Sequence, residues 1–176
     1  MRTLARLAVA CVAAALIMVG VVAAHAQSPS SKDEAFAKAA AEAISFQAQA
    51  ARLASSVSTN TEVKAFAVTM LADYSAAITK FKQAAADTAV KEAPEELTGK
   101  LKDTIDKLKM APSATFDSQF VDAQVAMHRD MLVIFNDYAG SGENPSLKKF
   151  AADFLLVLQD HQIRLEKLAK ALPRPA

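Results

Sequence analysis

At 176 residues, with 20 basic and 19 acidic side chains, the chain has a formal charge of +1 and lacks the basic surplus that a nucleic-acid footprint requires. Four glycines, no tryptophan and few β-branched clusters in an alanine-rich chain favour long helices over a sheet. The single cysteine provides neither a disulfide pair nor a thiolate metal site.

The first element is a targeting segment. Arg2 and Arg6 give a positive start, Leu7 to Ala24 is an almost unbroken apolar run, and Ala24-His25-Ala26 places small residues about a cut before Gln27. This layout predicts a cleavable signal peptide over 1–26 and export across the inner membrane, to the periplasm. The alternative is an uncleaved anchor, since the run approaches the roughly 18 residues at which a membrane helix becomes thinkable. The small-x-small ending favours cleavage, so no stable membrane insertion is expected of the mature chain. Too little apolar sequence precedes Cys11 for a lipoprotein signal, and the cysteine leaves with the segment. Removing Arg2 and Arg6 changes the formal charge from +1 to −1, and about 150 of the 176 residues remain, enough for one domain with a proper core.

Residues 27–31 read as a polar leader and 32–172 as a single domain. Ser31-Lys32-Asp33-Glu34 is a capping-box pattern that opens helix one, which runs to about Val57. Thr59-Asn60-Thr61-Glu62 repeats the signal and opens helix two, which continues toward Val90 before Pro94 interrupts it. Residues 95–109 form a shorter helix led by Glu95 and Glu96, whose charges suit the positive end of a helix dipole. Pro112 and Ser113 start helix three, and Gly140-Ser141-Gly142 ends it, where glycine adopts the left-handed conformation that closes a helix. Asn144 before Pro145 caps helix four, which carries Lys167 and Lys170 near its end and stops at Pro173. The expected fold is all-α: an up-and-down four-helix bundle with an extra short helix between helices two and three.

Following each helix at alternating steps of four and three keeps side chains on one face. Helix one gives Phe36, Ala40, Ala43, Gln47, Ala50, Ala54 and Val57; helix two gives Val63, Ala67, Met70, Tyr74, Ala77, Phe81 and Ala84. Helix three gives Val121, Val125, His128, Leu132 and Phe135. Helix four gives Leu147, Ala151, Phe154, Leu158, His161, Leu165, Leu168 and Leu172. Every stripe has a polar interruption near its middle, so Gln47, Tyr74, His128 and His161 are expected at similar heights as a buried polar layer. An unpaired buried polar group costs roughly 1–3 kcal/mol, and either mutual hydrogen bonds or a bound metal meets that cost. In the first case the layer is structural and fixes helix register. In the second, His128 and His161 are ligands of a transition metal such as copper, iron or zinc, with Tyr74 and Gln47 as weak additional donors. Met70, Met127 and Met131 lie near the layer in sequence, and thioether with imidazole suits copper, although methionine on a helix is usually core filler.

Three stretches, Glu62-Val63-Lys64-Ala65-Phe66-Ala67, Val125-Ala126-Met127-His128 and Leu147-Lys148-Lys149-Phe150-Ala151 leading to Asp160-His161, resemble the exported bacterial proteins grouped as domain of unknown function 4142. The resemblance covers about 33–171 and implies a ferritin-like four-helix fold. It also implies a glutamate in helix one, Asp-His in helix two and a histidine in each of helices three and four. His128 and His161 match that pattern, whereas Gln47 stands at the glutamate and Asp73-Tyr74 replaces Asp-His. A di-iron centre needs inward carboxylates and Glu-x-x-His pairs, yet Val125 and Leu158 stand three residues before the two histidines.

Lys100, Lys102, Asp103, Asp106, Lys107 and Lys109 mark a solvated face on the short helix, and no serine sits in a nucleophile elbow. The sequence therefore favours a non-catalytic binding, stress-related or structural module and names no protein or envelope partner for it; the alternative is a transition-metal-binding or redox protein using His128, His161 and Tyr74.

Overall fold

Local caps and tertiary partners together decide where the helices begin. The computed structural model describes residues 29–173, so the expected signal segment at 1–26 lies outside the described residues. Within them run α1 (Ser31–Val57), α2 (Thr61–Ala84), α3 (Gly99–Met110), α4 (Ser113–Ser141) and α5 (Pro145–Ala171), so that predicted helices three and four are α4 and α5. The box that opens α1 lies one residue earlier than its sequence pattern: Ser30 Oγ accepts the Asp33 N–H at 3.2 Å and the Asp33 carboxylate accepts the Ser30 N–H at 2.9 Å. Tertiary bonds select Asp33 over Glu34. Asp33 Oδ1 also accepts the Tyr138 hydroxyl and, at 3.1 Å, the Asn144 N–H, while Glu34 turns outward to accept the Ala89 N–H. Asn60 and Asn144 cap α2 and α5, each side-chain oxygen accepting two backbone N–H groups.

Periodicity carries the prediction for α2 as far as Val90, but the helix stops at Ala84. The buried Thr88 hydroxyl lies 2.9 Å from the carbonyl oxygens of both Ala85 and Val90, a side-chain alternative to helical bonding that folds the chain into a turn. Glu95 and Glu96 precede α3 rather than lead it; the helix begins at Gly99, whose φ of +55° is the positive-φ glycine of the described residues. Nor does a left-handed glycine close α4, since Gly142 has φ −64°. Glycine is needed there for space: a Cβ would sit 2.6 Å from the Tyr138 ring and 2.7 Å from its carbonyl oxygen.

Short connections pair α1 with α2 and α4 with α5 as antiparallel hairpins, and the hairpins pack through α1 on α4 and α2 on α5. Around the bundle the order is α1–α2–α5–α4, with every adjacent pair antiparallel. The two diagonal helices α2 and α4 consequently point the same way, and residues 85–112 travel the length of the bundle to join them. This is the single long crossover used by ferritin-like bundles. It runs along α1, where Ala89 donates to Glu34, Ser45 to the Pro94 carbonyl and Gln49 to the Glu95 carbonyl at 3.0 Å, before α3 lies over α1 and α4. At the far end Asp117 accepts the Ser58 hydroxyl and the Asn60 N–H, tying the start of α4 to the α1–α2 turn.

Covered by α2, α4 and the crossover, α1 is buried nearly all round, which is why Ala37, Ala41, Ala48 and Ala51 are buried as well as the expected stripe. Small side chains let neighbouring backbones approach on several sides at once. The α2 and α5 stripes are buried along their length, apart from a half-buried Ala84, and Val57 at the end of the α1 stripe is exposed. In α4 the buried face is Val121, Gln124, His128, Met131 and Phe135; Val125 and Leu132 are only half-buried. No helix of the described residues is long and apolar enough to cross a membrane.

Candidate functional site

Gln47, Tyr74, His128 and His161, one from each long helix, are at most 1% exposed. Three are joined around His128. Its Nδ1 lies 2.9 Å from the Gln124 carbonyl, an atom that can only accept, so Nδ1 carries the proton and Nε2 is free to accept the Tyr74 hydroxyl at 2.9 Å. Gln47 Nε2 is 3.1 Å from the same Nδ1 and 3.6 Å from the Met131 sulfur. Since Nδ1 is already a donor, turning the Gln47 amide over would set its oxygen against that N–H. Either orientation leaves one amide atom without a partner.

His161 is held differently. Its Nε2 donates to Asp73 Oδ2 at 2.9 Å, and Asp73 reaches the surface with 40% of its side chain exposed. The imidazole packs edge-on against Phe66 and stands 5.6 Å, ring centre to ring centre, from His128 and 5.7 Å from Tyr74. Beyond Phe66, the Arg164 guanidinium covers the outer ring face at 4.5 Å.

Burial makes the layer electrically neutral. It lowers the pKa of His128 to about 4, against the opposing effect of the Gln124 carbonyl, with a further lowering by His161. His161 is lowered too, by burial first, although its bond to Asp73 works the other way. The Tyr74 phenol is pushed well above its ordinary range by burial and by the Asp73 charge. Two neutral imidazoles, a phenol, a thioether and two amides therefore line the layer.

The hydrogen bonding is incomplete. His161 Nδ1, Gln47 Oε1 and both amide atoms of Gln124 are buried without a hydrogen-bond partner among the described residues. Each would cost roughly 1–3 kcal/mol if nothing met it. Among the same residues no three His, Cys, Asp or Glu side chains come together as a metal-holding group. Carboxylates do not project into the layer as a di-iron centre demands, so the residues present do not fit one.

Three participants lie outside the expected set of four. Gln124 and Met131 stand four residues before and three after His128, the spacing that marks one helix face, but the apolar Val125 and Leu132 draw the stripe one residue aside. Asp73 carries a signal only through its place beside Tyr74. Met70 is also buried, whereas Met127 is half-buried on the flank of α4.

The family described as Domain of unknown function (DUF4142) matches residues 20–168. The chain belongs to that family. Comparison with curated proteins and with solved structures gives no match.

Proposed function

We propose that this DUF4142 chain is an exported, periplasmic helical-bundle module whose role is to bind rather than to catalyse, with the layer of Gln47, Tyr74, His128 and His161 as its binding locus. The observation that carries this is the set of unpartnered buried atoms, foremost His161 Nδ1, an imidazole nitrogen whose ring is already oriented by Asp73. A guest that meets those atoms removes a penalty of several kcal/mol and gains a rigid, prearranged surround. Catalysis has less support, because the layer has no carboxylate pair and no nucleophile set beside a general base. A transition metal as the guest is favoured by the Asp73–His161 pair, since a histidine that ligates through one nitrogen usually donates its other N–H to a carboxylate.

Native mass spectrometry of chain isolated from the periplasm, without chelators or a histidine tag, tests the reading. An excess mass on the mature chain is expected, and it should vanish in His128→Leu/His161→Leu while helicity by circular dichroism is retained. A wild-type mass equal to that of the bare chain, together with a double variant of unchanged stability, would leave the layer as a purely structural device.

A further inference from the structure

We infer that the guest of this layer is a single soft monovalent cation, copper(I), ligated by His161 Nδ1, His128 Nε2 and the Met131 thioether, with Asp73 as its counter-charge. This rests on the binding role just proposed and adds the chemical class of the guest.

Charge balance comes first. All the donors that line the layer are neutral, and the carboxylate that reaches it is Asp73, bonded to the far side of His161. A divalent ion would leave one positive charge uncompensated in the core, whereas a monovalent ion is matched by that carboxylate. The donor types point the same way. Imidazole and thioether suit copper(I), while magnesium, calcium and manganese favour oxygen shells rich in carboxylates, which the amide oxygens of Gln47 and Gln124 do not supply.

The Tyr74 hydroxyl marks where two of the donors converge. It is 2.9 Å from His128 Nε2 and 4.0 Å from Met131 Sδ, so a nitrogen and a sulfur donor flank one point, and its ring neighbours His161 at 5.7 Å. A 5.6 Å separation of the histidine ring centres lies within reach of one ion held by both imidazoles, given metal–nitrogen bonds of about 2.0 Å. His161 Nδ1 is the anchoring ligand because no hydrogen bond has to be given up to use it. His128 Nε2 joins by releasing the Tyr74 hydroxyl.

The test is a copper(I) titration of metal-free full-length mature chain under reducing, anaerobic conditions against a chromophoric copper(I) chelator, with zinc(II) titrated in parallel. One equivalent of copper(I) should bind, at least a hundredfold more tightly than zinc(II), and X-ray absorption at the copper edge should report nitrogen and sulfur neighbours. Met131→Leu, which keeps the core volume, should remove the sulfur signal and weaken binding about tenfold. Asp73→Asn at the surface should weaken it about tenfold to a hundredfold, as loss of a carboxylate behind a ligating histidine does. His161→Leu should abolish it. Zinc(II) bound more tightly than copper(I), or copper(I) affinity unchanged in His161→Leu, overturns the assignment. A guest of another mass in the native spectrum would also refute copper(I) while leaving the binding role standing, whereas no guest at all removes both.

Discussion

A neutral imidazole in a core is a liability in acid. The folded pKa of His128, about 4, lies below the ordinary 6.5, so between those values the unfolded chain binds a proton that the folded chain refuses. Stability from this residue is therefore fully present above pH 6.5 and lost as pH falls toward 4, a change on the order of 3 kcal/mol. His161 shifts in the same direction, with Asp73 and Asp160 opposing the shift and Arg164 adding to it. Urea unfolding of the metal-free protein, followed by circular dichroism at pH 7, 5.5 and 4, should show this loss, and His128→Leu/His161→Leu should flatten it. An equal decline in the double variant would exclude the histidines as its source. A second acid limb should survive in that variant. Burial opposes ionisation of Asp33, but the Tyr138 hydroxyl and the N–H groups of Ser30 and Asn144 outweigh it and hold the carboxyl at about 2, so that its contribution disappears only as pH falls from about 4 toward 2. Four members of the layer were legible in the sequence because each interrupts an apolar stripe. Gln124 was not, because a polar side chain beside the apolar Val125 gives periodicity nothing to decide between them, and Met131 stood out only as one of three methionines near the layer, off the stripe that passes through Leu132.

At the scale of the helix, existence was legible and the termini were legible in part: the end of α1 at Val57 and the starts of α4 and α5 fall where the sequence puts them, the end of α2 and the start of α3 do not. Asn144 caps where the pattern places it and Asn60 caps one residue after the Thr59 of the capping-box pattern, both through local bonds, whereas the start of α1 depends on Tyr138 and Asn144, more than a hundred residues away. The end of α2 depends on a buried threonine. The two glycines at the end of α4 separate local propensity from packing. Gly140 is helical and exposed, with nothing within 4 Å of a built Cβ, so Gly140→Ala should stabilise the protein by about 0.5–1 kcal/mol. At Gly142 an added Cβ meets the Tyr138 ring and carbonyl, and Gly142→Ala should destabilise by about 1–3 kcal/mol. Thermal denaturation of the two variants checks both signs; a stabilised Gly142→Ala would mean that Tyr138 gives way without cost.

For the molecule as a whole, composition and helix count pointed to a bundle, and the four-helix arrangement with a short extra helix is what forms. Helix direction was less accessible. Sequence shows a long connection between α2 and α4 but not that it runs the bundle's length, because its anchors on α1 are mostly backbone groups that any residue supplies. The crossover and α3 shield α1 from solvent, and an alanine-rich α1 is what permits cover on three sides. At this scale the guest site is a property of both hairpins: Gln47 and Tyr74 come from one, His128 and His161 from the other. Loss of the interface between them would dismantle the layer and also release the Asp117 and Asp33 bonds that tie each hairpin's turn to the other hairpin.

The Asp33 clasp carries a consequence for the order of assembly. Each hairpin closes through neighbours in sequence, whereas Asp33 must wait for Tyr138 and Asn144 to arrive with the second hairpin. Its bonds should then form after the rate-limiting step. Asp33→Ala, which strands the Tyr138 hydroxyl and two N–H groups, is expected to destabilise by about 2–4 kcal/mol, with nearly all of the change in a faster unfolding rate and folding slowed less than about threefold. Stopped-flow kinetics would show the opposite partition if the clasp belonged to the nucleus. Placed late, it works as a latch on the finished bundle: it sets how long the protein stays folded rather than how fast it gets there.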